Sequence, residues 1–257
     1  MSLKLIKKLV SHSFQETMIY RQTAIITLIF GLLFFGIELI AGFVYFQYTD
    51  NVLGWTYHDY LLLISTATIV TYLYQTIFVV AHENLADTIV EGELDYTILR
   101  PVNSFLFYVL YRIDITSLIN LLISIIIHIY ILSKYSINIW SIILHVFSIL
   151  LATYFVFILN QLAVSISFWK ERSSKIVAVP EYLVDFASRP APIYPGGIRF
   201  ILTWVLPILT AINSPVLIIR DDYNYNFLIW TITVNILGSF LMNYVWKKGL
   251  KQYASAN

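Results

Sequence analysis

The chain has no cysteine among its 257 residues, which excludes disulfide frameworks, thiol nucleophiles and thiolate metal sites. Charge is scarce too. Only 12% of residues are Asp, Glu, Lys or Arg, about half of the roughly 25% that a soluble domain uses to wet its surface. Glycine is thin, at 9 residues, and none of them builds a GxxxxGK[ST] loop, so the chain has no P-loop for a nucleotide. There is no HExxH and no GxSxG elbow, and His12, His58, His82, His128 and His145 fall in different segments rather than at ligand spacing. These absences argue against an enzyme, against a metal or other cofactor held by this chain, and against a nucleic-acid partner. What the chain has in quantity is apolar surface, 59% of its residues, with a mean hydropathy of +0.76. The expected class is an all-α polytopic membrane protein forming a single domain over residues 1–257.

A helix needs about 20 mostly apolar residues to cross roughly 30 Å of hydrocarbon. Six segments qualify: Ala24 to Phe46, Tyr60 to Ala81, Phe105 to Leu132, Ile139 to Phe168, Arg199 to Ile219 and Phe227 to Trp246. Ser133 to Asn138 reads as a tight hairpin, and Pro207 and Pro215 interrupt the fifth span. The chain then divides into residues 1–21, spans 1 and 2 (22–82), a cytoplasmic loop (83–104), spans 3 and 4 (105–169), a second cytoplasmic loop (170–198), and spans 5 and 6 with a tail (199–257). An even span count puts both termini on one side. Of the 16 bases, all but Lys134 and Arg220 fall on that side, whereas the opposite loops carry Asp50, Asp59, Asp221 and Asp222. The bias predicts cytoplasmic termini. Ahead of the first span, Ile6, Val10, Phe14 and Met18 recur at four-residue steps opposite Lys4, Lys7, Lys8, Ser11 and Gln15. That pattern predicts an amphipathic helix lying on the inner leaflet of the bilayer.

The spans carry polar stripes at helical spacing. Thr116, Asn120, Ser124 and His128 mark the third, and Thr231, Asn235, Ser239 and Asn243 the sixth. The second has Thr68, Thr71, Gln75 and His82, the fourth Asn160, Gln161 and Ser165, and the first Thr27, Gly31, Glu38 and Gly42 on one face. Hydrocarbon offers such groups no partner, so these faces should point into a bundle or a water-filled cavity. For any single Ser or Thr, interhelical hydrogen bonding, at about 0.6 kcal/mol per bond, is the first account. Glu38 stands apart, because a carboxylate at mid-bilayer costs about 2.5 to 3.5 kcal/mol. It reads as a cation contact, a protonation switch or a conformational latch. The candidate pathway residues are Glu38, Gln75, Asn120, Ser124, His128, Asn235, Ser239, Pro207 and Pro215. The two prolines would break the fifth span near the outer leaflet and free backbone carbonyls there.

The inner loop from His82 to Ser104 is the most informative segment. Asn84 can cap a short helix with Leu85 and Ile89 on one face and Asp87, Glu91 and Glu93 on the other; Gly92 is placed to end it, and Pro101 to stop continuation after Leu99 and Arg100. Glu83, Asp87, Glu91, Glu93 and Asp95 crowd a loop on the otherwise basic side. Acids beside anionic lipid are unfavourable, so a protein partner is the better explanation.

The runs Glu91-Gly92-Glu93-Leu94-Asp95 and Leu99-Arg100-Pro101-Val102-Asn103 resemble ABC type-2 exporter permeases, the membrane subunits of ATP-binding-cassette transporters, in their short six-span bacterial branch. Ile193-Tyr194-Pro195 with Ile198-Arg199, then Pro207 and Ser214-Pro215, is similar to that branch ahead of and within its fifth span. Gly249 to Ala256 is similar to its C-terminal end. The Arg189-Pro190-Ala191-Pro192 approach is unusually rich in proline. The resemblance implies a coupling helix that docks on a separate ATPase, assigned here to Asn84, Asp87, Glu91, Gly92, Glu93, Leu94 and Asp95, with Arg100 and Pro101 setting the return to the membrane. It also implies ATP and Mg on two copies of that ATPase subunit, a second permease subunit, identical or paralogous, and a place in the bacterial cytoplasmic membrane. ATP-driven export of a drug, peptide or lipid-linked molecule is the function it points to. Two other readings stay open on the residues alone: a non-transporting sensor or scaffold that recruits a cytosolic protein, and a proton-coupled secondary transporter using Glu38.

Overall fold

A computed structural model describes residues 3–99, 103–110, 112–170 and 179–253. It is helical throughout, with no strand among the described residues. Five helices are long and apolar enough to span a membrane, and two further helices, bent by 87° to each other, reach that length and hydropathy only when taken together.

Helix α1 (Leu3–Ile19) has the predicted amphipathic form, and its two faces have different fates. Val10, Phe14 and Met18 are exposed, whereas Ser13 is buried and accepts a hydrogen bond from Ile113 N–H at 3.0 Å. Glu16 on the same side pairs with Arg112. The apolar stripe is thus left for lipid, as an interfacial helix requires. Helix α2 (Arg21–Tyr45) runs along the outside of the bundle. Only Phe35 and Gly42 on it are buried, and Ile25, Ile29, Leu33, Ile37 and Ile40 all face outward.

Helix α3 (Tyr57–Val90) is the central post. It is apolar on every side through Leu62, Leu63, Ile64, Ala67 and Val70, the pattern of a helix surrounded by protein. Thr56 and Asp59 close a capping box at its start. At 34 residues and about 1.5 Å per residue it is roughly 51 Å long, well beyond the hydrocarbon thickness. One π-helical turn, Gln75–Val79, interrupts it, and there Thr76 O accepts from the Asp114 N–H of another segment. The post therefore runs on past the expected end at Ala81, and Asn84 does not cap a separate helix. It lies in mid-helix and donates through Nδ2 to Val80 O at 2.7 Å, while Leu85 is fully buried and keeps the helix against the bundle.

After the short helices α4 (Leu94–Ile98) and α5 (Ser104–Val109), the third span is shorter than expected. It starts at α6 (Ile115–Leu132), not at Phe105, because the chain breaks ahead of Asp114, whose carboxylate caps Thr116 N–H and Ser117 N–H. The hairpin to α7 (Ile139–Phe168) is tight as expected, with Asn138 capping Ser141 N–H.

The largest departure follows α7. The sequence predicts an inner loop over residues 170–198, yet this stretch contains α8 (Val179–Ala187), which packs one face, through Pro180, Val184 and Ala187, against the bundle. Its Glu181, Val184 and Asp185 border a small cavity with Thr71, Gln75 and Val156. The chain then climbs, and by Arg189, Pro190 and Ile193 it lies beside Tyr45, Phe46, Val52 and Tyr60 at the outer end. Helix α9 (Gly196–Val205) turns there and α10 (Ile208–Ile219) follows at 87°. The fifth crossing is consequently built from short pieces, not from one span over Arg199 to Ile219. Helix α11 (Tyr225–Gln252) closes the fold. Its Trp246 is buried among Phe105, Tyr108 and Phe168, and Gly249 sits so close to the Phe168 ring that an added Cβ would fall 2.3 Å from it. Helices α1 and α11 bring both ends of the described chain to the end of the bundle where α4 lies.

Candidate functional site

The inner end of the post presents the predicted loop. Helix α3 stops at Gly92, whose φ of +74° is the left-handed conformation that glycine adopts without strain. Helix α4 is tied down by Leu94, fully buried, and by Thr97. Asp87, Glu91 and Glu93 stay exposed, and so do four apolar side chains: Val90, Tyr96, Ile98 and Leu99. Monomeric surfaces seldom put that many large apolar groups beside clustered acids. Arg100 and Pro101 lie outside the described residues, as do Ala254 to Ala256.

Three polar assemblies hold the bundle. At the outer end Asp59, 5% exposed, accepts from Thr56 N–H and the Thr56 hydroxyl at 2.9 and 2.8 Å and from Tyr135 O–H at 2.9 Å. Arg220 Nε lies 3.6 Å from the same carboxylate, its Nη2 donates to Gly54 O at 2.7 Å, and its guanidinium covers the Trp55 ring. Burial and the adjoining Asp59 charge push the Tyr135 phenol well above its usual range, so it remains a donor.

Deeper, a chain of groups crosses four helices. Pro215 O only accepts, so His145 Nδ1–H donates to it at 2.7 Å. With both rings neutral, His145 Nε2 accepts from His128 Nε2–H at 2.9 Å, and His128 Nδ1 accepts from the Ser65 hydroxyl at 2.8 Å. The two rings lie nearly parallel, 7° apart. Toward the inner end, Gln161 Oε1 accepts from His82 Nε2–H at 3.0 Å, and Tyr74 O–H donates to His82 Nδ1 at 2.8 Å.

The third assembly is the pair Glu38–Arg189. Nη1 and Nη2 of Arg189 meet the two carboxylate oxygens at 2.6 and 3.1 Å, and Nη1 also donates to the Tyr60 hydroxyl oxygen at 2.8 Å. This fork joins α2 to the segment after α8.

A family model described as ABC-2 family transporter protein matches residues 7–257. The chain belongs to the ABC-2 transporter family. No curated protein and no solved structure matches it. This ABC-2 permease is the membrane subunit of an ABC transporter, and nucleotide chemistry is not its own.

The predicted pathway residues of the permease do not gather in one place. Asn120, Ser124 and His128 do face inward and are buried, yet they pack against protein: Ser124 donates to Asn120 O, and Asn120 fits where Gly31 leaves no side chain. Asn235 donates to Leu151 O, and Ser239 bonds Asn235 O and the Tyr154 hydroxyl. Gln75 lines the small cavity beside α8. Glu38 is paired with Arg189. Pro207 marks the bend of the fifth crossing. Pro215 breaks nothing: α10 continues through it, buried on all sides, with its carbonyl taken by His145. Arg189, Tyr60, His145 and Asp59 were not among the candidates. Arg189 was hidden by its proline-rich surroundings, which read as loop, and its partner lies 151 residues away.

Proposed function

We propose that the chain is the permease subunit of an ABC exporter, working by alternating access with a second permease copy, identical or paralogous, and driven by a separate ATPase that binds ATP and Mg. The observation that carries this reading is the exposed acidic and apolar loop from Asp87 to Leu99 at the inner end of a post 34 residues long. A rigid rod that leaves the membrane and ends in an exposed, chemically mixed surface is suited to pass a partner's motion to the bundle. The inner side is cytoplasmic on this reading, because Lys4, Lys7, Lys8, Lys247, Lys248 and Lys251 flank that end. Arg189 and Arg199 drop out of that bias, since they sit in the fifth crossing.

A proton-coupled cycle through Glu38 has less support, because both of its carboxylate oxygens are already engaged by the Arg189 guanidinium. Reversing two charges with Glu91→Lys and Glu93→Lys should cut recovery of the ATPase with the tagged permease about tenfold or more, while membrane insertion and α-helical content stay unchanged. Recovery equal to the parent would remove the docking role from this loop.

A further inference from the structure

We propose that the cavity at the bend of the fifth crossing binds an amphipathic anion: an aromatic or aliphatic body carrying one carboxylate, sulfonate or phosphate group. This rests on the permease reading and goes further by naming a substrate class. The cavity has a volume of about 420 Å³, which suits a small organic molecule. It lies toward the outer end, because Leu217 on its wall is three residues from Arg220, which reaches Gly54 O, and Phe227 opens α11. The bend that makes the hollow is fixed locally. Pro207 lacks the N–H that would continue the helix, and the Thr210 hydroxyl ties α10 back to Thr203 O at 2.8 Å.

The walls state the chemistry. Phe200, Trp204 and Phe227 supply aromatic surface, with Trp204 and Phe227 ring centroids 5.8 Å apart. Two of the polar groups, Arg199 and Ser214, are donors with spare capacity. Arg112, Arg189 and Arg220 each have a carboxylate partner, whereas no described carboxylate lies within ion-pair distance of Arg199 on this wall. Ser214 lines the same cavity, is 4% exposed, and its hydroxyl has no hydrogen-bond partner. Ser124, Ser165, Thr231 and Ser239 each give their proton to a carbonyl one turn back; Ser214 does not. Of the other polar side chains on the wall, Asn213 is already committed to Ala187 O and Ala191 N–H, and Thr210 to Thr203 O; Thr203 is the fifth. A ligand that satisfies this wall brings acceptor oxygens and negative charge, and a guanidinium takes such a group two oxygens at a time. A cation is repelled, and a neutral arene leaves Ser214 unpaired.

The test uses the permease alone in phosphatidylcholine nanodiscs and three probes with one naphthyl body: 2-naphthalenesulfonate, 2-naphthol and 2-naphthyltrimethylammonium. The sulfonate should bind saturably above its partition into empty discs, and Arg199→Gln should weaken it about 10- to 100-fold, with Arg199→Lys recovering part of the loss. Ser214→Ala should weaken it about 2- to 10-fold. Equal saturable binding of the cation or of naphthol overturns the proposal, and so does sulfonate affinity that is unchanged in Arg199→Gln discs eluting as the parent does. Phosphatidylglycerol added to the discs separates two sources of the anion. Competition that disappears in Arg199→Gln assigns the cavity to a lipid headgroup, no competition assigns it to a free amphiphile, and both uphold anion binding. No ATPase is present, so failure here leaves the exporter reading standing, and loss of ATPase recovery elsewhere leaves this site standing.

Discussion

Asp59→Ala should be the most destabilising single substitution at the outer end, lowering the free energy of unfolding by about 3 to 5 kcal/mol. The carboxylate is 5% exposed and serves three elements together: the start of α3 through Thr56, the α6–α7 hairpin through Tyr135, and the end of α10 through Arg220. Removing it leaves the Arg220 guanidinium, 17% exposed, without its carboxylate, and leaves the Tyr135 hydroxyl without an acceptor. Asp222 is no substitute, since it stands 3.9 Å away and is 72% exposed, so its attraction is weakened by water. Asp59→Asn keeps the capping acceptor but not the charge and should cost less. Asp59→Ala combined with Arg220→Met should regain part of the loss, because the stranded cation is then gone. The comparison is read by unfolding of the four proteins in one lipid or detergent system. A double variant no more stable than Asp59→Ala would mean that the cap, not the ion pair, holds this end.

How much of this could be read from residues alone depended on whether the governing interaction was local. The five long spans were legible because crossing the bilayer imposes a length, and the Gly92 stop because a backbone at φ +74° favours one residue type. Asn84 misled for the same local reason. A side chain suited to capping is also tolerated inside a helix, and what decided was Leu85, buried by tertiary contact. Pro215 misled because a proline that would end an isolated helix is tolerated where the helix is packed by protein, and α10 is buried along nearly its whole length around Pro215. Arg189 was assigned to a loop by composition and to one side of the membrane by its sign. Only the fold brings it to Glu38, since a pair across 151 residues leaves no periodic trace. The polar stripes were legible as inward-facing, but periodicity could not say whether they lined a path or packed. Most of them pack, and the polar-and-aromatic hollow at the bend of the fifth crossing draws on Arg199, Trp204 and Ser214, which lie on no shared stripe.

Arg189→Gln should destabilise the protein by about 2 to 3 kcal/mol, the scale set by leaving the Glu38 carboxylate unpaired at membrane depth. Glu38 lies in α2, the span with the least protein around it, and the fork to Arg189 and Tyr60 ties that span to the fifth crossing. Both side chains keep more than a third of their surface free of protein, at 37% and 39%, so water reaching them from the outer end would lower the loss toward that of a surface pair. Glu38→Gln alone leaves Arg189 with Tyr60 and should cost less, because an arginine stem can carry its charge toward the interface. Neutralising both partners should restore most of the stability, giving a coupling of about 1 to 2 kcal/mol in the double-mutant cycle. Exchanging them, Glu38→Arg with Arg189→Glu, separates charge pairing from geometry: recovery by the exchange would favour simple attraction, and failure of the exchange alone would favour the two-oxygen fork. A coupling below about 0.5 kcal/mol would mean that α2 is held by Gly31, Gly42 and their neighbours without help from the pair. The same cycle read in transport carries the functional half of the argument. If the pair works as a latch between α2 and the fifth crossing, the doubly neutral protein should be stable yet slow to turn over, because stability returns with the charges gone and the tie between the two elements does not.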